Sequence, residues 1–506
     1  MRSQRQLHGF HRVDRSANQS SANHCAGHRG WIKHYAARVA PRPAECRASC
    51  CAFSGNGAVV PPLGQPAGQA KGRYASSSKG IFSLKPFPAW LKLKLLNYPL
   101  RPLIQALSFL EEALLHQFLG DHTHMMRPPK VLRPFGYPSQ FNTPRNPRHV
   151  RMETRKWLPL HKIWKPFEVA LLTPALDADL IATFNRIPLG PRPFVITFES
   201  HLPRLFNYEN SAAFRYFSRR LASRRCRAIV PISGFARKMF LNQHQGSPLY
   251  EALLAKLTNP IHPNIPVPKS RPRADRRQAK TLRCVFVGGH FIRKGGLSVL
   301  HAAKVAQQRG WPIEFHIVSN MTMGARNGVW TDPTNLDFAA DLLAALDLPN
   351  VHHHGKIPNA ALLELLSSAD VSLLPTLSDT YGYSVIESFA MGVPVIGTAC
   401  CALPEVIEDG YNGYLIDLPV TDMGIWDQLW AHDHDSPEYQ RILRTTAEDV
   451  GMSILSRLEA LVHDRGLLEA LSDNAFQTAQ DRFDASKRGP ELEALYLNLL
   501  GAPSVA

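Results

Sequence analysis

The stretch SDTYGYSVIESFAMGVPVIGT, residues 378–398, carries two carboxylates whose spacing raises a question of chemistry. Asp379 precedes a helix that we predict from about Tyr383 to Met391, and Glu387 lies one turn inside it. The two acids therefore do not share a helical face and are placed to accept hydrogen bonds from two separate sets of hydroxyl groups. The structural alternative makes Glu387 a favourable charge near a helix N-terminus and Asp379 a turn former.

The start of the same predicted helix is a candidate anion site. Gly382, Tyr383 and Ser384 place backbone N–H groups in the first turn, where the helix dipole favours negative charge. The apolar run VSLLPT before them predicts a buried strand. Ligands of doubly wound sheets bind outside the carboxyl ends of the strands, so this loop is expected to face a ligand.

A second candidate anion site follows the apolar strand LRCVFV. Gly288 and Gly289 allow a ligand to approach the backbone closely, and Arg293 and Lys294 add two cations beside a helix that begins near Gly295. These groups suit a diphosphate. A surface turn with two solvated charges is the alternative.

The run VHHHGKIPN, residues 351–359, suggests two different ligands. Three consecutive histidines suggest a metal ion, but successive side chains of a strand point to opposite faces, so the three cannot converge. We expect no metal here. The glycine turn precedes Asn359, which we predict to cap the next helix, and it places the backbone of Lys356 and Ile357 where it could hydrogen-bond a flat nucleobase.

Strands and helices alternate from residue 166 onward, which predicts parallel sheets. A first Rossmann-like domain is expected over 166–265, and within it we predict that the Ser233 hydroxyl caps a helix. A Pro- and Arg-rich linker follows over 266–281. The second domain is expected over 282–480, and a C-terminal helix over 481–506.

The N-terminal third carries the basic charge. The net charge is +17, yet residues 1–165 hold 26 Lys and Arg against 6 Asp and Glu, so the remainder is slightly acidic. Residues 1–80 are typical of a disordered leader, a transit peptide or a wrongly chosen start codon, and we expect no fold there. Residues 81–165 are expected to be basic, partly helical and of uncertain fold.

The segment 81–120 has apolar residues at helical spacing among lysines and arginines. It either packs on the fold or a partner, or lies on an anionic membrane surface. No stretch approaches the length of a membrane span, and we find no nucleic-acid motif to accompany the charge. The eight cysteines lack repeated CxxC pairs, which favours a reduced, cytoplasmic setting. The patch from His24 to Cys51 lacks metal-site spacing, so no metal is expected there either.

Residues 284–416 resemble the donor-binding domain of retaining GT-B glycosyltransferases of family four, also called group 1. The similarity rests on FVGGHFIRKGG, ADVSLLPTLSDTYGYSVIESFAMGVPVIGT and ALPEVIEDGYNGYLI, which occur in the family's order and spacing. The family signature of an acid, seven residues and a glutamate reads Asp379 to Glu387, with Asp in place of the usual Glu. The resemblance implies an α/β GT-B fold, with two doubly wound Rossmann-like domains facing across a cleft and C-terminal helices crossing back.

The resemblance also implies roles for the site residues. Arg293 and Lys294 would neutralise the diphosphate of a nucleotide-sugar donor, Glu387 would hold the ribose hydroxyls, and Asp379 would hold hydroxyls of the transferred sugar. Backbone groups would complete the donor site, namely those of Gly288, Gly289, Lys356, Ile357, Gly382, Tyr383 and Ser384. The implied reaction proceeds with retention, and the leaving phosphate assists the acceptor hydroxyl. It needs no cofactor and no metal, because cations and a helix N-terminus stabilise the leaving group.

Candidates on the acceptor side are weaker. Glu199 stands where the family often has a histidine, His201 follows two residues later, and Ser233 lies after the strand RAIVPIS. A structural role is the alternative for each. The expected function is sugar transfer from a nucleotide donor to a saccharide or lipid-linked glycan, as in polysaccharide biosynthesis, in the cytoplasm or on the inner face of the membrane. A phosphorylase, an epimerase or a non-catalytic GT-B scaffold that binds a partner are the alternatives.

Overall fold

The computed structural model describes residues 127–157, 168–173, 177–206, 208–272, 279–431 and 433–501. They form two lobes, each built on a parallel β-sheet whose strands are joined by helices. The predicted fold class, α/β with two doubly wound Rossmann-like domains, is therefore confirmed. The leader over 1–80 and the amphipathic segment 81–120 lie outside the described residues.

The first lobe is built on a five-stranded parallel sheet. Its elements are, in chain order, β1 (Lys130–Pro134), α1 (Tyr137–Phe141), β2 (Arg151–Arg155), β3 (Ala170–Leu171), β4 (Leu180–Phe184), β5 (Ile187–Pro188), β6 (Phe194–Phe198), α2 (Ala212–Ala222), β7 (Cys226–Pro231), α3 (Gly234–His244) and α4 (Tyr250–Leu254). The strand order is β2–β1–β4–β6–β7, and β3 pairs separately with β5. The inner strands β4 and β6 are apolar on both faces, as expected of a parallel sheet that is covered on both sides.

The predicted start of this lobe at residue 166 is wrong, because β1 and β2 precede it. The sequence of β1, KVLRP, holds only two apolar side chains between basic residues and a proline, so it lacks the apolar run that marks a buried strand. Val131 and Leu132 are nonetheless fully buried. Lys130 at the end of the strand forms an ion pair with Asp177 at 3.1 Å. This pair compensates the positive charge that made the sequence of β1 unlike that of a buried strand.

The second lobe is built on a six-stranded parallel sheet. Its elements are β8 (Leu282–Val287), α5 (Gly296–Gln308), β9 (Ile313–Val318), α6 (Ala340–Leu343), β10 (Val351–Gly355), α7 (Asn359–Ser367), β11 (Val371–Leu374), α8 (Tyr383–Ala390), β12 (Val395–Thr398), α9 (Leu403–Val406), β13 (Gly413–Ile416), α10 (Pro437–His463), α11 (Arg465–Thr478) and α12 (Ala485–Leu500). The order β10–β9–β8–β11–β12–β13 places β10 at one edge. Between β9 and β10, two 3₁₀ turns flank the single turn of α6.

The last helix returns to the first lobe. Tyr496 and Leu497 of α12 are buried against Val131, Leu180 and Val195 of the first sheet. The chain thus closes the first lobe with a helix that follows the second, which confirms the predicted crossing of the C-terminal helices. Within the described ranges no helix combines the length and the apolarity needed to cross a bilayer.

Candidate active site in the cleft between the lobes

A cavity of about 1070 Å3 lies between the two lobes. It is lined from the first lobe by Glu199 and His201 and from the second by Arg293 and Asp379, four residues that the sequence singled out. The carboxyl ends of the parallel strands therefore bring these four predicted residues to one space. Its remaining lining includes Arg204, Phe235, Met239, His290, Trp330, Thr331, Ser378, Thr380, Cys401, Trp430 and His434.

Glycines hold the loop between β8 and α5 in place. Gly295 has a φ of 86°, and a Cβ there would lie 1.9 Å from the carbonyl oxygen of Pro375 at the end of β11. A Cβ on Gly288 would lie 2.8 Å from Cβ of Lys294. Both positions thus require glycine, which lets the loop pack against the loop after β11. Arg293 fastens the contact, since its Nη1 donates to the carbonyl oxygen of Ser378 at 2.5 Å.

Lys294 and Asp379 form an ion pair at the cavity wall. Lys294 Nζ donates to Asp379 Oδ2, and only 18% and 12% of the two side chains is exposed. Burial alone would raise the pKa of Asp379, but the charge and hydrogen bond of Lys294, with help from Arg293 and the Tyr381 amide, outweigh it and lower that pKa. Asp379 is therefore an ionised acceptor at neutral pH.

The start of α8 lies beside this pair. Gly382 is its N-cap residue, with a φ of 82°, and Tyr383 opens the helix, so the predicted helix bounds are confirmed. The first lobe covers this start, because Asn142 Nδ2 donates to the Tyr383 hydroxyl at 3.0 Å. The Phe141 and Tyr383 rings lie 4.8 Å apart. Ser384, the next predicted residue, is half-buried.

Glu387 is buried in α8 and is not among the described residues that line the cavity. Its Oε1 accepts a hydrogen bond from Asn359 Nδ2 at 2.8 Å. The predicted capping role of Asn359 is therefore wrong: Pro358 occupies the N-cap position of α7, and the Asn359 amide reaches across to α8 instead. After β10, Lys356 is exposed and Ile357 is half-buried. The hydrogen bond from Asn359 connects the segment that follows β10 to Glu387.

The wall supplied by the first lobe is held by side-chain pairs. Glu199 Oε1 accepts from Arg204 Nη1 at 2.6 Å and from Asn185 Nδ2 at 2.9 Å. Burial, with the nearby Arg204 charge, lowers the pKa of His201 to about 4, so its imidazole is neutral at pH 7. Ser233 does not face the cavity. It is fully buried and its hydroxyl accepts from Ala236 N at 3.0 Å, which confirms its predicted role as a helix cap.

A carboxylate of the second lobe caps a helix of the first. Glu405 Oε2 accepts from Gly234 N and Oε1 from Phe235 N, both at 2.6 Å, at the start of α3. The negative charge thus lies at the positive end of the helix dipole. Glu405 belongs to the motif ALPEVIEDGYNGYLI, and its contact with α3 cannot be read from the sequence, because only the tertiary fold brings the two segments together.

Two tryptophans at the cavity were also missed. Trp330 and Trp430 stack with ring centroids 5.0 Å apart and planes inclined by 25°. They remain 54% and 47% exposed, which is unusual for side chains of this size. His434 packs edge-on against Trp330. The two rings come from loops a hundred residues apart, and no local pattern marks either loop.

Comparison with known families finds a match for most of the second lobe. Residues 281–423 match the family of glycosyl transferases group 1. This group 1 segment holds Arg293, Lys294, Asp379 and Glu387, so the predicted resemblance is confirmed. It spans less than a third of the 506-residue chain. Two parallel sheets across a cleft, with a C-terminal helix returning to the first lobe, form the GT-B arrangement that the resemblance implied.

Curated relatives match only part of the chain. D-inositol 3-phosphate glycosyltransferase of Thermobifida fusca is 29% identical over 137 residues, which cover 27% of this chain and 31% of the relative. N-acetyl-alpha-D-glucosaminyl L-malate synthase of Bacillus anthracis is 33% identical over 115 residues, or 22% of this chain and 29% of the relative. The chain thus spans about a third of the length of these relatives.

Solved structures give similarity over more of the chain at lower identity. Anabaena Alr3699/HepE in complex with UDP has a TM-score of 0.45 and 15% identity, and the match covers 73% of this chain and 99% of that one. Sucrose-phosphate synthase of Thermosynechococcus elongatus has a TM-score of 0.44 and 15% identity, over 74% and 89% of the two chains.

Proposed function

We propose that this protein is a glycosyltransferase that moves a sugar from a nucleotide-sugar donor to a saccharide or lipid-linked glycan. One observation carries the proposal. The buried Lys294–Asp379 pair of the group 1 segment lies at a cavity between two lobes, beside Arg293 and a helix N-terminus. Cations and backbone dipoles aimed at one point suit a diphosphate, and an ionised carboxylate beside them suits sugar hydroxyls.

The donor diphosphate would lie against Arg293, Lys294 and the first amides of α8. In this arrangement Lys294 exchanges part of its contact with Asp379 for a phosphate oxygen. The departing nucleotide diphosphate gains negative charge, and fixed cations and helix dipoles stabilise it without reorganisation. These groups supply the charge that a divalent ion supplies in other transferases, so we propose that transfer requires no metal.

Two carboxylates would select the rest of the donor. Asp379, ionised and at the cavity, accepts hydrogen bonds from the transferred sugar. Glu387 binds the ribose hydroxyls, oriented by its hydrogen bond from Asn359. That bond joins it to the end of β10, where the backbone of Lys356 and Ile357 would meet the base. Glu387, Asn359 and the backbone of residues 356–357 would thus bind ribose and base together.

We propose retention, with the leaving phosphate accepting the proton of the acceptor hydroxyl. The side of the cavity formed by the first lobe supports this proposal, because neither Glu199 nor His201 is arranged as a general base. Glu199 already accepts from Arg204 and Asn185. His201 has a pKa of about 4, too low for efficient proton abstraction near neutral pH. Both residues instead suit positioning of the acceptor.

The tryptophan pair supports a saccharide acceptor. The apolar C–H faces of sugar rings stack on aromatic rings, and exposed aromatic surface beside a polar cavity marks a binding site. Trp330 and Trp430 offer such a surface at the cavity, while His434 and Thr331 add polar groups beside it. An acceptor that rests there extends out of the cavity, as a growing glycan must.

Donor hydrolysis tests the proposal. The protein is assayed with UDP-, GDP- and ADP-sugars, with and without a chelator, and the configuration of the released sugar is followed by NMR. We expect one nucleotide to support turnover in chelator, retention at the anomeric carbon, and loss of turnover in Asp379→Asn. No turnover with any donor, together with nucleotide binding that Glu387→Ala does not weaken, would refute an enzyme and favour a binding scaffold.

Membrane contact is a separate proposal. The basic segment 81–120 lies outside the described residues, and its charge and tryptophan suit docking on anionic lipid, where a lipid-linked acceptor resides. Liposome sedimentation with and without residues 81–120 tests it. Binding that depends on anionic lipid and is lost on deletion is expected; equal sedimentation of both proteins would remove the proposal.

A further inference from the structure

A second group of ligand-type side chains lies at the outer edge of the second sheet. Glu314 and His316 belong to β9, and His352 and His354 to the edge strand β10. His352 pairs directly with His316 across the two parallel strands, and residues two apart share a face. The four therefore gather on one side of the sheet, while His353 points to the other and bonds a backbone carbonyl.

This arrangement brings in a second strand that the expectation for the histidine run did not include. Strand alternation does separate His353 from its neighbours, as predicted. The neighbouring strand, however, supplies the ligands that the run itself could not bring together. Ligand atoms of Glu314, His316 and His352 all lie within 4.8 Å of one another.

The imidazole of His316 is the centre of this cluster. Its Nδ1 lies 2.9 Å from Nε2 of His354, a hydrogen bond between two stacked rings. Its Nε2 is buried and has no hydrogen-bond partner among the described residues. The nearest acidic atom is Glu314 Oε2, at 3.7 Å, which is too far for a hydrogen bond.

The tautomer that donates from Nδ1 to His354 leaves a lone pair on the buried Nε2 of His316. That nitrogen lies 3.7 Å from Glu314 Oε2, and the ring centroids of His316 and His352 are 4.8 Å apart. Three electron donors around one point repel one another unless a cation lies between them. A buried polar atom without a partner is costly, so the site needs an explanation of this kind.

We propose that Glu314, His316 and His352 bind a divalent transition metal, for which Zn2+ is the best match. Imidazole and carboxylate ligands suit zinc, and three protein ligands with a water molecule complete a tetrahedron. His354 acts as the outer partner that orients His316 through the second ring nitrogen. His352 is exposed, which gives the metal a path of entry.

The metal would join the edge strand β10 to β9. The chain runs from His354 through a glycine to Lys356, Ile357 and Asn359, the unit that we propose to read base and ribose. Metal binding would therefore steady the donor site from outside the cavity. This last step rests on the proposed function, whereas metal binding itself does not.

Zinc titration of the full-length protein, freed of metal by chelation, tests the site. We expect calorimetry to show a Zn2+ site whose affinity falls at least about tenfold in both His316→Ala and Glu314→Gln, since losing a ligand exceeds the loss from an outer partner. Bound Zn2+ should raise the melting temperature of the wild type but not of the variants. Glu314→Gln preserves shape, so it remains informative if His316→Ala fails to fold.

His353→Ala is the matched control, because it removes a histidine from the same run but the opposite face. It should keep the zinc-dependent shift, and Co2+ should give tetrahedral absorption bands in His353→Ala but not in Glu314→Gln. Equal zinc affinity and stoichiometry in the wild type and Glu314→Gln would overturn the proposal and assign any binding to other histidines and cysteines. These readouts do not depend on sugar transfer, so their failure and that of the proposed function are distinguishable.

Discussion

The two lobes share one architecture but hold their cavity residues in different ways. In the second lobe, backbone geometry does the positioning: Gly295 and Gly382 adopt positive φ, and the loops they permit place Lys294 and Asp379. In the first lobe, side chains hold one another, as Arg204 and Asn185 hold Glu199. Glycines that the backbone requires can be recognised in the sequence, whereas side-chain contacts between distant residues cannot. Substitutions at four residues test this difference between the lobes.

Lys294→Met should have the largest effect. It removes a cation that we propose stabilises the leaving diphosphate, and it leaves the carboxylate of Asp379 buried without Lys294. We expect kcat/KM to fall by about a thousandfold, as for loss of a preorganised electrostatic donor. The free energy of unfolding should fall by about 3–5 kcal/mol, as for other broken buried pairs. Steady-state kinetics and urea denaturation measure the two losses.

The double variant Lys294→Met/Asp379→Asn separates these losses. It should recover much of the stability, since no unpaired charge remains, but none of the activity. Lys304→Met is the control, because Lys304 pairs with Asp341 on the surface at 3.1 Å. A Lys294→Met protein with normal kcat/KM would contradict the role given to the second lobe.

Glu405→Gln weakens the contact between the lobes themselves. A neutral amide accepts hydrogen bonds less strongly than a carboxylate and loses the attraction of the helix dipole at α3. We expect a loss of about 1–2 kcal/mol in stability, typical of a lost cap. Small-angle scattering should show a larger radius of gyration. The exposed Glu408→Gln serves as control, and an unchanged radius in Glu405→Gln would show that this carboxylate does not hold the lobes together.

Trp330→Ala tests whether the tryptophan pair binds the acceptor, as we propose. Loss of one stacked ring should weaken the binding free energy of a saccharide acceptor by about 0.5–1.5 kcal/mol. Its KM should therefore rise by a factor between about two and about ten. Donor hydrolysis should stay unchanged, because the donor groups are untouched. Phe135→Ala, which removes an aromatic ring that is 65% exposed and does not line the cavity, should change neither value. Equal losses of hydrolysis and transfer in Trp330→Ala would point to a structural role.

His201→Asn should change how the stability of the protein depends on pH. The folded protein lowers the pKa of His201 from 6.5 to about 4. At a pH between these two values, the unfolded chain therefore binds a proton that the folded protein does not bind. The stability that His201 contributes is present above pH 6.5 and is lost as pH falls towards 4. Urea denaturation at pH 7 and pH 5 should show a smaller loss in His201→Asn than in the wild type. An identical loss would mean that His201 is not buried as a neutral imidazole.

The limits of sequence reasoning depend on how far apart along the chain the interacting residues lie. The helix from Tyr383 and the capping hydroxyl of Ser233 are local, since each is decided by residues a few positions apart, and both were predicted. Asn359 was assigned the wrong partner, because a side chain that can cap its own helix can also reach a residue that only the fold brings near. β1 was missed because Lys130 finds its counter-ion far along the chain.

Pairing across strands caused a further omission. The histidines of β10 were judged from their own strand, and strand alternation correctly separated His353 from the other two. The register that sets His316 opposite His352 is a property of the sheet, and no spacing within either strand encodes it. The same holds for Trp330 and Trp430, which meet only after two distant loops fold together.

Calorimetry of nucleotide binding tests whether the second lobe binds a nucleotide-sugar donor at this cleft. UDP, GDP and ADP are titrated into the wild type, Glu387→Gln and the exposed control Glu408→Gln. The account predicts that one nucleotide binds the wild type and the control alike, and binds Glu387→Gln at least about tenfold more weakly, as for the loss of about 1.4 kcal/mol in charged hydrogen bonds to ribose. Equal affinity of that nucleotide for the wild type and Glu387→Gln would contradict it.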